Sequence, residues 1–206
     1  LINSEEELEL ISDYIIEISN NFRNVHLSID TYNSDVAEFA LTKGFSIIND
    51  ISSGRYDHNM YDVIKEHNAG YVMMHMKGDP DNMQDNPKYD NVVESIISFF
   101  EGKMSELESS GIQNIILDPG FGFGKTIEDN FKILKDLSLL QSFKKPLLVG
   151  LSRKSMIYKL LNITPAEALN GTTALNTLAI DKGADILRVH DAKEASECIK
   201  LIENLN

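Results

Sequence analysis

Short apolar runs alternate with helical patterns along the whole chain, and this alternation is the feature that most constrains its fold. Each run has the length of a buried strand, and the segment after it carries apolar residues at helical spacing. Parallel strands that are buried on both faces and connected by helices produce this pattern. The predicted strands are residues 25–31, 45–51, 71–76, 115–118, 146–152 and 184–190.

Every predicted strand ends in polar residues. They are Asp30, Asn49 with Asp50, His75, Asp118, Ser152 with Arg153 and Lys154, and Arg188 with His190. A TIM barrel draws its active site from the C-terminal ends of several strands, whereas an open doubly wound sheet concentrates its site at one switch point. The spread therefore predicts an α/β fold of the TIM (β/α)8 type, with residues 1–206 as a single domain.

The predicted strands are fewer than the eight of a complete barrel, and the chain begins on a helical pattern rather than on a strand. An open first strand would also carry an unpaired apolar edge, which proteins avoid. We therefore expect that two N-terminal βα units are absent and that six βα units are present, corresponding to barrel strands 3 to 8.

Composition argues against several classes of protein. A net charge of −13 argues against a nucleic-acid surface, which needs a basic patch. The sequence contains no apolar run of about 18 residues, so no membrane span is expected. The single cysteine, Cys198, fits a reducing compartment, and we expect a cytoplasmic protein.

Helix starts are marked by three capping patterns. Ser4 with Glu7 and Thr126 with Asp129 have the spacing of capping boxes, and Asp191 stands where it can cap the last helix.

The stretch 115–126 has the composition of a small-molecule site. A buried strand ends there on a carboxylate, Asp118, and Pro119 ends the strand pattern. Three alternate glycines, two phenylalanines and a lysine follow, in the order Gly120-Phe121-Gly122-Phe123-Gly124-Lys125. The spacing matches neither the Walker A loop nor the dinucleotide fingerprint, so neither NTP nor NAD binding is indicated. The competing interpretation is an ordinary glycine-rich βα turn.

Two further groups of side chains stand at the predicted strand ends. Asp30, Asn49 and Asp118 suit a flat heterocycle with many N–H donors, although the two acids could instead bind a divalent metal, and each residue could merely cap a helix. Basic side chains at the same ends indicate an anion such as phosphate or pyrophosphate. They are Lys125, Arg153, Lys154, Arg188 and His190, of which Lys125 is interpreted as a surface cation.

The strand ends together resemble the dihydropteroate synthase family. The matching blocks, in the order of that family, are Ser28-Ile29-Asp30-Thr31, Ile48-Asn49-Asp50-Ile51, Met74-His75-Met76-Lys77-Gly78, Leu117-Asp118-Pro119-Gly120-Phe121-Gly122-Phe123-Gly124-Lys125, Gly150-Leu151-Ser152-Arg153-Lys154 and Arg188-Val189-His190-Asp191.

The resemblance implies a homodimeric TIM-barrel transferase of folate biosynthesis and a target of sulfonamides. Such an enzyme joins p-aminobenzoate to 6-hydroxymethyl-7,8-dihydropterin diphosphate with the help of Mg²⁺, and releases pyrophosphate. The resemblance assigns pterin binding to Asp30, Asn49, Ile51, Met74, Asp118 and Lys154, p-aminobenzoate binding to Phe123, Ser152 and Lys154, and diphosphate binding to Arg188 and His190. The implied catalytic residues are Asp118, Lys154, Arg188 and His190.

Two parts of the family pattern have no counterpart in this sequence. One is the first-strand asparagine that contacts metal and diphosphate, so no metal ligand is expected in this chain. The other is the Thr-Arg-Pro loop after the second strand. We therefore predict that these 206 residues alone do not turn over substrate, which pteroate formation by this polypeptide would contradict.

Two alternative functions stay open. A methyltetrahydrofolate-binding methyltransferase barrel also binds pterins with Asp and Asn residues, but it does not need the basic diphosphate cluster. A non-catalytic pterin- or anion-binding fragment is the second alternative.

Overall fold

The computed structural model of the chain describes residues 2–205, which fall into two compact units. The first unit takes the chain as far as Met74 together with Glu101–Ile116. The second takes His75–Phe100 and the chain from Leu117 onward. A long helix, α4 (Val92–Ser109), and a strand, β4 (Ile115–Asp118), each contribute residues to both units.

The first unit is a parallel sheet with helices. Its remaining elements are α1 (Ser4–Asn21), β1 (Ser28–Asp30), α2 (Ser34–Thr42), β2 (Ile47–Asp50), α3 (Met60–Glu66) and β3 (Gly70–Met74). The strands follow the order β1-β2-β3-β4, and β2 is parallel to both β1 and β3. The register places Asp30 beside Asn49, so two of the predicted pterin residues are neighbours across the ladder. Ile15, Ala40 and Phe45 form a buried cluster in this unit.

The second unit repeats the strand–helix pattern. Its remaining elements are α5 (Ile127–Lys135), β5 (Leu148–Val149), α6 (Ser155–Leu161), α7 (Leu169–Asp181), β6 (Ile186–Leu187) and α8 (Ala192–Glu203), with 3₁₀ helices at Leu137–Phe143 and Pro165–Glu167. Strands β5 and β6 are parallel, and Leu117 forms a parallel bridge to Leu147. Phe121 and Phe100 are fully buried, and the Phe100 ring meets the Phe143 ring edge-on at 5.8 Å.

The predicted α/β fold with parallel strands is confirmed, but several boundaries were wrong. Strands β1, β5 and β6 contain only two or three residues, where the apolar runs predicted seven. An apolar run records burial, whereas a strand also needs a backbone partner at each residue. Residues 165–181 form a 3₁₀ turn followed by α7.

The capping predictions had mixed outcomes. The Thr126–Asp129 capping box is present. The predicted box of Ser4 with Glu7 is wrong, since Asn3 is the N-cap and its side chain accepts from the amide of Glu6. Asp191 does stand at the N-cap of α8, but its side chain makes no capping bond because Arg153 binds it.

Among residues 2–205, no helix is long and apolar enough to cross a membrane.

Candidate active site

In the first unit, Asp30 and Asn49 form a hydrogen-bonded pair at the ends of two adjacent strands. The Asn49 Nδ2 donates to Asp30 Oδ1 over 2.7 Å. The Asn49 side chain is buried, and its Oδ1 accepts no hydrogen bond from the protein. A buried amide oxygen without a donor costs free energy, so this atom is ready to accept an N–H from a ligand.

The other two predicted residues of the first unit follow or end strands. Ile51 is half-buried directly after β2, and Met74 is buried at the end of β3. The Ser53 hydroxyl fixes the backbone of Met74, since it accepts from the Met74 amide and donates to its carbonyl, each over 3.0 Å. The nearby methionines Met73 and Met76 are buried as well.

Asp50, the acid beside Asn49, has a structural role. It is fully buried, and its carboxylate accepts from the amides of Ser52 and Gly54 and from the Tyr71 hydroxyl, over 2.7 to 2.8 Å. These bonds satisfy the carboxylate and fix the turn after β2. Both carboxylate oxygens of Asp50 are therefore engaged by the protein itself.

In the second unit, Asp118 lies buried at the end of β4, where the glycine loop Gly120–Gly124 begins. Its Oδ1 accepts from the Gly120 amide over 2.7 Å. Burial raises the pKa of the Asp118 carboxyl, and the positive charges of Lys154, Lys125 and Arg188 oppose that rise. The result is a desolvated carboxylate that depends on surrounding cations to stay ionised.

The prediction that Lys125 is a surface cation was wrong. Its side chain is 4% exposed, and its Nζ donates to the carbonyl oxygens of His75, Gly120 and Phe123 over 2.8 to 3.0 Å. A lysine next to a helix start is usually solvated, so only the folded positions of these carbonyls account for its burial. Burial lowers the pKa of Lys125 to about 7.

Lys154 and Phe123 meet against the same loop. The Lys154 ammonium donates to the Phe121 carbonyl and stands over the Phe123 ring, 4.9 Å from its centroid. Burial lowers the pKa of Lys154, whereas the Asp118 carboxylate opposes that change. Lys154, at the start of α6, thus contacts the glycine loop that follows Asp118.

Ser152, predicted to contact p-aminobenzoate, contacts His190. The Ser152 Oγ lies 2.9 Å from His190 Nδ1 and accepts from the His190 amide over 3.2 Å. The Ser152 hydroxyl has one proton and two lone pairs, so it can pair with Nδ1 in either tautomer of the ring. His190 is exposed, and its Nε2 is available to a ligand.

Arg153 and Asp191 connect the turn after β5 to the start of α8. Arg153 Nε donates to one carboxylate oxygen of Asp191 over 3.0 Å, and its Nη2 donates to the other over 2.6 Å. The Arg153 amide also donates to the Thr172 hydroxyl over 3.0 Å. A bidentate pair fixes geometry as well as charge. Arg153, predicted to bind an anion, is therefore engaged by a carboxylate, while Arg188 is exposed after β6.

Breaking the Arg153–Asp191 pair is expected to weaken pyrophosphate binding severalfold. Arg153→Lys keeps a positive charge but loses the paired geometry that holds the loop of His190. Titration calorimetry with inorganic pyrophosphate measures the effect, and Lys159→Gln on the exposed face of α6 is the control. Equal affinities for the wild type and Arg153→Lys would contradict this role.

His75, another predicted candidate, is buried beneath aromatic side chains. Its ring meets Phe99 edge-on at 5.3 Å and lies 6.1 Å from the Tyr89 ring. The ring helps to pack the loop after β3, and its carbonyl accepts from Lys125.

The residues described do not fit a protein-built metal site. Within 2–205, no group of three or more His, Cys, Asp or Glu side chains is placed to hold an ion. The Asp30 carboxylate also has the Asn49 amide as a partner.

Comparison with known proteins identifies the family. The model of the pterin binding enzyme family matches residues 1–190. The dihydropteroate synthase of Escherichia coli K12 is 39% identical over 204 residues, which cover 98% of this chain and 72% of that protein. The chain belongs to the dihydropteroate synthase family of pterin-binding enzymes.

Solved structures of family members have the same fold. The Yersinia pestis dihydropteroate synthase, solved as a sulfonamide drug complex, has a TM-score of 0.95 at 36% identity, with 99% of this chain and 74% of that chain covered. The Thermus thermophilus dihydropteroate synthase in complex with 6HMPPP has a TM-score of 0.91 at 35% identity, with coverages of 98% and 80%. Membership in this synthase family makes the chain a transferase and implies a TIM-barrel-like fold.

Proposed function

We propose that this synthase family member joins p-aminobenzoate to 6-hydroxymethyl-7,8-dihydropterin diphosphate, giving 7,8-dihydropteroate and pyrophosphate. The observation that carries the proposal is the buried Asp118 carboxylate, set on a tethered glycine loop among the charges of Lys154, Lys125 and Arg188. A buried acid of this kind suits a ligand that presents a guanidine-like pair of N–H donors.

The proposed pterin-binding residues of the first unit are Asp30, Asn49, Ile51 and Met74, and those of the second unit are Asp118 and Lys154. Asp118 suits the guanidine-like edge of a pterin, and the Asn49 Oδ1 suits an N–H donor. Asp30 supports Asn49 through its hydrogen bond. Ile51 and Met74 contact the flat ring, and Lys154 supplies a donor and a positive charge.

The reaction needs a stabilised leaving group. The bond between the pterin methylene carbon and the diphosphate oxygen breaks, and its electron pair leaves with pyrophosphate. The electron-rich ring delocalises the positive charge that remains on the methylene. Arg188 and His190 stabilise the growing negative charge, which is the role of preorganised cations and donors. Ser152 positions the His190 ring through its contact with Nδ1.

The amine nitrogen of p-aminobenzoate then attacks the methylene carbon. A C–N bond forms, the nitrogen loses one proton to solvent, and no covalent enzyme intermediate is needed. Phe123 offers an apolar wall to the aromatic ring of p-aminobenzoate. Lys154, which lies over the Phe123 ring, can meet the negative carboxylate of p-aminobenzoate. Ser152 stays a predicted p-aminobenzoate contact.

We assign Mg²⁺ to the diphosphate substrate rather than to a protein-built site. Mg²⁺ is commonly bound through substrate phosphates together with one or two carboxylates, rather than by a cage made of protein ligands alone. The acids described within 2–205 form no such cage, which supports this assignment.

The number of barrel units, the oligomeric state and the location are proposed together with the function. The described strands β1 to β6 correspond to six βα units, strands 3 to 8 of a (β/α)8 barrel, which residues 1–206 form as one pterin-binding domain. A homodimer stays the prediction made from the family resemblance, and a cytoplasmic location stays the prediction made from the single cysteine.

Calorimetry with two ligands separates this function from the methyltransferase alternative. The gene product that contains this chain is titrated with 6-hydroxymethylpterin diphosphate and with methyltetrahydrofolate. Tight binding of the diphosphate and weaker binding of the same pterin without its diphosphate support the synthase. A preference for methyltetrahydrofolate would overturn it.

A further inference from the structure

Side chains hold all five carbonyl groups of the glycine loop. Lys125 binds the oxygens of Gly120 and Phe123, and Lys154 binds that of Phe121. Gln84 Nε2 donates to the Gly122 oxygen, and the Tyr89 hydroxyl donates to the Gly124 oxygen over 2.9 Å. Side chains from several parts of the second unit therefore fix the backbone of this loop.

Lys125 is central to this arrangement because it joins the loop to a neighbouring strand end. Its third acceptor is the His75 carbonyl, 3.0 Å away. The His75 amide donates to the Asp118 carbonyl over 3.0 Å. His75 therefore binds Lys125 through its carbonyl and the backbone of Asp118 through its amide. Lys125 thus binds the Gly120 carbonyl directly and is linked through His75 to the Asp118 carbonyl. A shift of its ammonium would therefore displace the backbone around the buried Asp118 carboxylate.

Lys125 also acts on Asp118 through charge. The charged groups that face Lys125 are the carboxylates of Asp118 and Asp129 and the ammonium of Lys154. The positive charge of Lys125 lowers the pKa of Asp118 against the effect of burial. Three carbonyl acceptors match the three N–H groups of an ammonium, while a neutral amine has only two.

We propose that Lys125 is a positioning residue for pterin recognition: its buried ammonium fixes the glycine loop through three carbonyl oxygens and places a positive charge beside Asp118. This inference rests on the function proposed above. All three carbonyls bound by Lys125 belong to the backbone, so it acts through the loop and through Asp118.

The pH dependence of pterin binding tests the proposal. Calorimetry measures the affinity of the gene product for 6-hydroxymethylpterin between pH 4.5 and 8 in the wild type, Lys125→Met, Lys125→Arg and Lys132→Met. Lys132 is an exposed lysine of α5 and serves as the matched control. Because Met removes the charge beside Asp118, we expect Lys125→Met to bind the pterin about tenfold more weakly than the wild type at pH 6.5. We define the acid limit as the pH below which pterin binding is lost. This limit is expected to lie at a higher pH in Lys125→Met than in the wild type.

The arginine variant separates charge from hydrogen-bond geometry. Lys125→Arg is expected to bind more weakly than the wild type but with the same acid limit, since its charge is retained, and Lys132→Met is expected to match the wild type. Circular dichroism checks folding, and if Lys125→Met does not fold, Lys125→Arg decides: a shifted acid limit overturns the proposal, and an unshifted one supports it.

The possible results distinguish a failure of the role proposed for Lys125 from a failure of the proposed function. A Lys125→Met protein that binds with wild-type affinity, or that loses affinity uniformly with an unchanged acid limit, overturns the role of Lys125 alone. A wild type that binds no pterin overturns the proposed function and this inference with it.

Discussion

Replacing Asp118 by asparagine is expected to lower the affinity for 6-hydroxymethylpterin by roughly tenfold to a hundredfold, because a hydrogen bond to a charged group contributes about 1.5–3 kcal/mol. Asparagine keeps the shape of the side chain, and its Oδ1 can still accept from the Gly120 amide. The variant loses the charge that meets the guanidine-like edge. The asparagine side chain also presents an N–H donor toward the N–H donors of the ligand, and two donors cannot form a hydrogen bond.

Stability and pH distinguish this loss from a folding defect. Burial raises the pKa of Asp118, so the charged carboxylate is costly in the free protein, and the asparagine variant is expected to unfold at no lower temperature than the wild type. Calorimetry should show that the affinity of Asp118→Asn for the pterin no longer falls as the pH is lowered. Asp181→Asn, an exposed acid at the end of α7, is the control. Unchanged affinity in Asp118→Asn would contradict the assigned role.

Replacing Gly120 by alanine is expected to destabilise the protein severely. Gly120 has a φ of +69°, and a Cβ there would lie 2.0 Å from the His75 carbonyl oxygen and 3.2 Å from Lys125 Nζ. The positive φ alone costs about 1–2 kcal/mol for a residue with a Cβ. The clash adds to this cost, because the carbonyl that must move is the one that Lys125 binds.

Thermal unfolding of two glycine variants gives the matched comparison. Gly102→Ala in α4 is the control, since a Cβ at that position meets nothing within 4 Å. Alanine in a helix interior is expected to raise stability by up to about 1 kcal/mol. Each kcal/mol corresponds to a shift of roughly 2–4 °C in Tm for a chain of this size. A Gly120→Ala protein as stable as the wild type would contradict the loop geometry described.

Local patterns were sufficient to predict much of the architecture. Parallel strands connected by helices followed from the apolar runs, and the Thr126–Asp129 capping box followed from a spacing that needs no distant partner. Local spacing also has limits, because Asn3 and Ser4 are both good N-cap residues one position apart, and the folded chain uses Asn3.

The errors in the predicted site have a common cause, which is a partner far away in sequence. Lys125 is buried because the His75 carbonyl, 50 residues away, helps to accept its ammonium. Asp191 gives up helix capping because Arg153, 38 residues away, binds its carboxylate. The contact of Ser152 with His190 spans the same separation and was not predicted, whereas the p-aminobenzoate role of Ser152 stays a prediction. Asp118, by contrast, was found from sequence because the strand and the glycine loop that surround it are contiguous.

Pyrophosphate release tests the central claim most directly. The gene product that contains this chain is given 6-hydroxymethyl-7,8-dihydropterin diphosphate and Mg²⁺, with and without p-aminobenzoate, and released pyrophosphate is measured alongside 7,8-dihydropteroate. The proposed reaction predicts that pyrophosphate and dihydropteroate form in equal amounts and that both depend on the amine. Binding of the pterin diphosphate without any amine-dependent release would contradict it.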